Sequence, residues 1–162
     1  MHPVIVLQFL ILLMLANGTP VIAKKILGSR YIYPLDCHLT LPDGRPVFGR
    51  SKTIRGVALA VLVTTASAPI IGLSWKIGLV VGSFAMAGDL FSSFCKRRLG
   101  LPPSSRASGL DQIPESLLPL LACRDLLGLA AADIAACVVL FVVGEVVLSR
   151  VLFALRLRDR PY

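Results

Sequence analysis

The chain has 162 residues, room for one domain. It is 56% hydrophobic with a mean hydropathy of +0.79, above the soluble range. Its 17 Lys and Arg against 9 Asp and Glu give a formal charge of +8, which would suit nucleic acid or an anionic membrane surface, but five long apolar spans exclude a soluble nucleic-acid binder. Four scattered cysteines, Cys37, Cys95, Cys123 and Cys137, have no CxxC pair and no His at ligand spacing, which excludes a disulfide framework and a zinc site.

Residues 4–23 form the first span, long enough for roughly 30 Å of hydrocarbon at helical rise. Only His2 lies before it and Lys24 and Lys25 follow, the reverse of a signal peptide, so the reading is a retained helix. "ANGTP" (residues 16–20) is expected to interrupt that helix near its end. Gly18 and Pro20 disfavour regular helix, and irregular backbone at membrane depth needs protein or a wet cavity to satisfy it. A frayed helix end is the alternative.

Residues 24–55 form the one long polar stretch. It carries Lys24, Lys25, Arg30, Arg45, Arg50, Lys52 and Arg55. Asp43-Gly44 favours a turn, while Pro42 and Pro46 limit pairing, so a short hairpin or a lid is expected there. His38 reads as a loop residue. In "FGRSKTIRG" (residues 48–56), Lys52, Thr53 and Arg55 stand at a helix N-terminus, where free N–H groups and the dipole favour anions. The glycine spacing of a Walker loop is missing, and a lipid-headgroup anchor has the same composition.

The second and third spans, residues 56–74 and 77–95, are joined through Trp75 and Lys76. Gly78 and Gly82 stand at GxxxG spacing, which suits close helix packing. Asp89, Ser92, Ser93 and Lys96 follow at spacings of three, four and seven, so they share one helical face, and Lys96 lies about 10 Å beyond Asp89. Lys96-Arg97-Arg98 alone would be an ordinary juxtamembrane anchor. Asp89 is different, because a carboxylate inside a bilayer span is costly and by default marks a site.

Residues 96–112 form a second cationic loop, with Arg106 inside it and Asp111 at its end. Asp111 has the position of an N-cap, and Pro114 suits the first helical turn. The fourth span, residues 113–127, is the weakest, holding Pro114, Glu115, Pro119 and Arg124-Asp125. The fifth, residues 130–149, contains Asp133 and Glu145, which are expected to pair inside the bundle. Arg150, Arg156, Arg158 and Arg160 follow it. All basic residues except Lys76 and Arg124 therefore fall at one end, which predicts the N-terminus outside and the C-terminus in the cytoplasm.

The expected fold is all-α: a single-domain integral membrane bundle of about five transmembrane helices, multi-pass in the cell membrane, with a polar pocket facing the cytoplasm. A bundle this small leaves a homodimer open. Asp89 and Asp111 bracket the second cationic loop, with Lys52, Arg55, Lys96 and Arg97 around them. Paired carboxylates plus fixed cations are what a magnesium-bound polyphosphate needs. The depth of Asp89 points to a lipid as one substrate.

In these residues the chain resembles the CDP-archaeol synthase family, relatives of the phosphatidate cytidylyltransferases. The resemblance runs through "ANGTP", "DGRPVFGRSKTIRG", "GDLFSSFCKRRLG", "LDQ" and the closing "LRDRPY". It implies transfer of CMP from CTP to a glycerol-based lipid phosphate, giving a CDP-activated lipid and pyrophosphate with Mg2+. It also implies Asp89 and Asp111 as magnesium ligands, with Lys96 and Arg97 on phosphates. Lys52, Thr53 and Arg55 would steady the triphosphate or the lipid phosphate. Asn17 would face the nucleotide, and Ser92 or Ser93 would offer a hydroxyl. The chain departs from the pattern at Pro114, where members often carry an acid, followed here by Glu115. It departs again at Glu145 and Ser149 in place of His and Asn, and at Tyr162 in place of Trp. Those departures leave the lipid open among an archaetidic-type ether lipid, phosphatidic acid and another lipid phosphate. A non-catalytic headgroup-binding membrane protein is the rival; it gives no reason for two acids to bracket the loop.

Overall fold

The computed structural model describes residues 2–28, 32–102, 105, 107 and 109–154. Arg30, Arg106, Arg156, Arg158, Arg160 and Tyr162, all named above, lie outside the described residues. Among the described residues six α-helices follow in order: α1 (Pro3–Leu27), α2 (Ile54–Ser67), α3 (Trp75–Arg98), α4 (Gln112–Ala122), α5 (Arg124–Leu127) and α6 (Ala131–Ala154). A 3-10 turn, Pro69–Ile71, extends α2.

Among the described residues three stretches are long and apolar enough to cross a membrane. They are Pro3–Leu27, Ile54–Ile71 and Trp75–Arg98, with mean hydropathies of 2.1, 1.8 and 1.5. α6 has the length as well, with 24 residues. The expected fourth span is divided. α4 has 11 residues and stops at Cys123, before the single turn of α5. Eleven residues rise only about 17 Å, so α4 alone does not match the bilayer core.

The expected break at "ANGTP" does not occur: α1 runs through Pro20 for 25 residues. Pro20 removes only one donor, the one that would serve the Ala16 carbonyl. The Thr19 hydroxyl adds a bond to the Leu15 carbonyl at 2.6 Å one turn back. Pro20 also packs on the start of α2, its Cβ 3.3 Å from where a Gly56 Cβ would stand.

The helices close a ring. α1 packs on α2, α2 on α3, α3 on α4, and α4 on α6, which returns to α1. Phe9, Leu12, Leu13 and Ala16 of α1 meet Val81 and Ala85 of α3 and Cys137 and Phe141 of α6 in one buried core. The outer surface stays apolar, with Leu7, Ile11, Leu62, Phe84, Leu140 and Val143 exposed, as lipid contact requires. Gly78 and Gly82 form the expected seam. A Cβ on Gly78 would meet the Thr64 carbonyl at 2.6 Å, and one on Gly82 the Val61 Cα at 3.1 Å. Asp133 seals the opposite end of the bundle, accepting from the backbone N–H of His2 (2.7 Å) and Ala130 (3.1 Å). Its pairing with the His2 ring at 3.1 Å is the internal role expected of it.

The loop between α1 and α2 turns back at Asp43-Gly44. Leu41 N–H donates to the Arg45 carbonyl (3.0 Å) and Val47 N–H to the Leu39 carbonyl (3.1 Å), with a lone bridge at Thr40 and Pro46. That is the expected short hairpin. Asp36 anchors it from inside. Its carboxylate accepts from the backbone N–H of Gly49 (2.8 Å), Phe48 (3.0 Å) and His38 (3.2 Å).

Candidate active site

The polar face of α3 carries the site. Both Asp89 carboxylate oxygens accept from Lys52 Nζ at 2.5 Å, so the loop before α2 meets the middle of α3. Glu115 of α4 lies beside the same carboxyl, with Glu145 and Lys52 as its other charged neighbours. α4 reaches this deep because residue 88 is glycine. A Cβ there would stand 2.3 Å from the Pro114 carbonyl oxygen and 2.7 Å from the Glu115 nitrogen. The acid is thus one residue beyond Pro114, where the resemblance expects one. Glu115 was missing from the expected site, although an acid within an apolar span was the available signal.

One turn further along α3, Ser92 is fully buried. Its hydroxyl donates to the Gly88 carbonyl at 2.9 Å and lies 3.5 Å from the Asp111 carbonyl oxygen. Ser93 is buried beside it at 3% exposure. Next comes Lys96, which pairs with Asp111 at 2.6 Å and donates to the Ser105 carbonyl at 3.0 Å. Asp111 stands at the head of α4 but does not cap it. Its other oxygen accepts backwards from the Ala107 N–H at 3.0 Å. The N-cap reading therefore fails, since both oxygens are directed away from the first turn of α4.

The anchor reading of Lys96-Arg97-Arg98 fails too. Lys96 and Arg97 are 8% and 3% exposed and point inward. Arg97 donates to the Pro102 carbonyl at 2.8 Å, while its Nε and Nη1 are buried without a partner. Unmet donors on a buried guanidinium are costly, and an oxyanion would satisfy them. Arg98 clamps the hairpin instead, pairing with Asp43 at 2.6 Å and donating to the Pro46 carbonyl at 2.6 Å. Arg45 returns the contact to the Arg98 carbonyl at 2.6 Å.

These loop contacts leave electrostatic marks. Burial acts to raise the Asp36 pKa, but the N–H groups of Gly49, Phe48 and His38 outweigh it and hold the carboxyl below its usual value. The Arg45 N–H, with help from the Arg98 guanidinium, likewise keeps Asp43 low.

Of the remaining expected residues, Lys52, Thr53 and Arg55 line one cavity with Asp89. Thr53 spends its hydroxyl oxygen as the N-cap of α2, accepting from Gly56 N–H at 3.1 Å. Arg55 reaches the Gly28 carbonyl at 3.4 Å. Asn17 on α1 has a buried amide nitrogen without a partner. Seven of the expected residues thus lie along a seam, joined there by Glu115: Asp89 with Lys52, then Ser92 and Ser93, then Lys96 with Asp111 and Arg97.

Among the described residues no three His, Cys, Asp or Glu side chains converge as a ready-made metal cage. The donor set nevertheless fits magnesium, which binds through one or two carboxylates and completes its shell with water and phosphate oxygens. Asp89 beside Glu115 offers such hard oxygens, and Asp111 offers more along the seam.

The sequence model of the CarS-like CDP-archaeol synthase family matches residues 3–162. The chain belongs to the CDP-archaeol synthase family. It is a cytidylyltransferase. A CDP-archaeol synthase of Pyrococcus furiosus is 39% identical over 69% of this chain and 70% of its own. Another, of Pyrobaculum calidifontis, is 34% identical over 91% of this chain and 90% of its own. A solved structure described as an intramembrane enzyme for archaeal membrane lipid biosynthesis superposes with a TM-score of 0.70. It is 27% identical, covering 85% of this chain and 90% of that one. The membership and the apolar helices make this chain a membrane protein, as its composition predicts.

Proposed function

We propose that the chain transfers CMP from CTP to the phosphate of an archaeal ether-linked glycerol lipid, with Mg2+, releasing pyrophosphate. A lipid phosphate oxygen forms a bond to the α-phosphorus of CTP as the bond from that phosphorus to the β-bridging oxygen breaks. The attacking oxygen is already anionic, so no protein base is required. Catalysis rests on placing the two phosphates in line and neutralising their charge.

The observation that carries this reading is the seam itself. Two acids each held by a lysine, and a buried arginine with unmet donors, sit at one end of a membrane bundle. Asp89 and Asp111, with Glu115 beside the first, are the residues that would hold magnesium. When bound, that ion would neutralise phosphate charge and keep the α-phosphorus open to attack. Lys96 and Arg97 hold the triphosphate, Lys52 and Arg55 hold phosphate at the Asp89 end, and Asn17 offers its amide to the nucleotide. Thr53 fixes the start of α2, and Ser92 ties α3 to the head of α4. The end that carries Lys24, Lys25, Lys52, Lys96 and Arg97 faces the cytoplasm, with α4 and α5 together completing the fourth of five crossings.

The test is pyrophosphate release by the purified protein in detergent with CTP and magnesium. An archaeal ether lipid phosphate and phosphatidic acid are compared, with Asp89→Asn as control. The expected result is CTP-dependent release, faster with the ether lipid and lost in Asp89→Asn. A protein that binds lipid phosphate yet releases nothing with either lipid would be a headgroup-binding scaffold.

A further inference from the structure

The cavity beside Asp89 carries more positive charge than the proposed reaction has used. Lys24 from the end of α1 and Arg50 from the loop line it together with Lys52, Arg55 and Asp89. Lys52 and Asp89 neutralise each other at 2.5 Å. Lys24 and Arg50 are solvent-accessible, and among the described residues no ion pair holds either side chain. A surplus of cations around a concave site recruits an oxyanion.

Size distinguishes between the phosphates at hand. The cavity holds about 130 Å³, whereas pockets that enclose drug-sized ligands measure roughly 300–1,000 Å³. A single phosphate group needs far less room than a whole nucleoside triphosphate, so the smaller group suits this volume better. Apolar groups make up much of the rest of the wall, including Pro20 of α1, Val57 of α2 and Met86 of α3. A phosphate attached to a hydrocarbon tail suits that mixture of cationic and apolar lining.

On the cytidylyltransferase reading, we infer that this cavity takes the phosphate of the lipid substrate and that Lys24 and Arg50 bind it, alongside Lys52 and Arg55. The triphosphate then lies along the rest of the seam, at Lys96, Arg97 and Asp111, with Asp89 bordering both.

The experiment uses the full chain in detergent, as wild type, Lys24→Ala, Arg50→Ala, Arg50→Lys and Lys25→Ala. Lys25, next in the chain, does not line the cavity and controls for bulk charge. One arm measures equilibrium binding of an ether-linked glycerol lipid phosphate, and of the same lipid without its phosphate, in the absence of CTP and metal. The other measures KM for each substrate. Lys24→Ala and Arg50→Ala should each weaken lipid phosphate binding and raise its KM by about tenfold, the worth of one lost charged hydrogen bond. Binding of the dephosphorylated lipid and the KM for CTP should hold, Arg50→Lys should recover much of the loss, and Lys25→Ala should match wild type. Unchanged lipid phosphate values, or a rise in the KM for CTP in their place, would overturn the assignment. If the wild type makes no CDP-lipid, the reaction reading falls, and the binding arm still decides the cavity.

Discussion

Gly88→Ala should separate the acids of the site without altering any of their side chains. The added methyl would stand 2.3 Å from the Pro114 carbonyl oxygen, 2.5 Å from its carbon and 2.7 Å from the Glu115 nitrogen. All three atoms are backbone, so no side chain can rotate away to make room. Non-bonded contacts settle near 3.5 Å, so α4 must retreat by about 1 Å. That retreat draws Glu115 from Asp89 and Asp111 from Ser92 and Lys96. Overpacking of this kind costs about 1–3 kcal/mol, and a misplacement of ~1 Å can cost about 10²-fold in rate. The assay pairs the initial rate of CDP-lipid formation with thermal unfolding in detergent. Gly144→Ala is the control: its methyl would meet only the flexible tip of Met14, at 2.9 Å, so its stability should stay near wild type. A Gly88→Ala protein with wild-type rate and melting temperature would refute the idea that this glycine sets the spacing.

Arg97→Leu should abolish turnover yet leave the melting temperature unchanged or raised, because it replaces a buried cation with two unpartnered nitrogens by an apolar side chain. A melting temperature several degrees lower would mean that Arg97 is there for the fold. The Lys52–Asp89 pair should give a coupling of ~1–3 kcal/mol in a double-mutant cycle of Lys52→Ala and Asp89→Asn, read by unfolding; additive effects would mean the two groups do not need each other. Asp36→Asn should destabilise the protein by ~1 kcal/mol at neutral pH by weakening its bonds to Phe48 and Gly49. Its folded pKa lies below the unfolded value, so the carboxylate's contribution is full above that unfolded value of about 3.8 and is lost as pH falls through the folded one. Melting temperatures of wild type and Asp36→Asn should therefore converge on acidification below pH ~4, and a gap that widens in acid would reverse the sign of the argument.

What could be read from the chain alone was whatever depends on local pattern. The apolar spans, the Gly78–Gly82 seam and the row of Asp89, Ser92 and Lys96 are periodicities of one helix, and one helix fixes them. The hairpin tip followed from Asp43-Gly44 for the same reason. What was hidden depends on two elements meeting. Glu115 became part of the site because Gly88 admits α4, a fact about helix packing that no spacing within α4 reveals. Asp36 bonds locally only to His38; its shorter bonds go to Phe48 and Gly49, 12 and 13 residues away, which no local pattern marks. The unbroken course of α1 through Pro20 shows propensity giving way to packing, because that turn presses on Gly56.

The arrangement of charge has its own physical logic. A lone carboxylate in a bilayer span costs ~2.5–3.5 kcal/mol on insertion scales, so an acid placed deep enough to meet a lipid phosphate needs a counter-charge before any substrate arrives. Lys52 supplies it for Asp89, and Lys96 for Asp111, in contacts of 2.5 and 2.6 Å. Surplus cations have no such protection and are tolerated only nearer water, where Lys24 and Arg50 stand exposed. Arg97 is the exception, buried and only partly satisfied. It stays charged at any accessible pH, so its unmet donors are a standing cost to the fold that binding of a phosphate would relieve. On the proposed assignment, the stability it forgoes would be regained as affinity for the triphosphate, so a substitution that stabilises this position should weaken binding there.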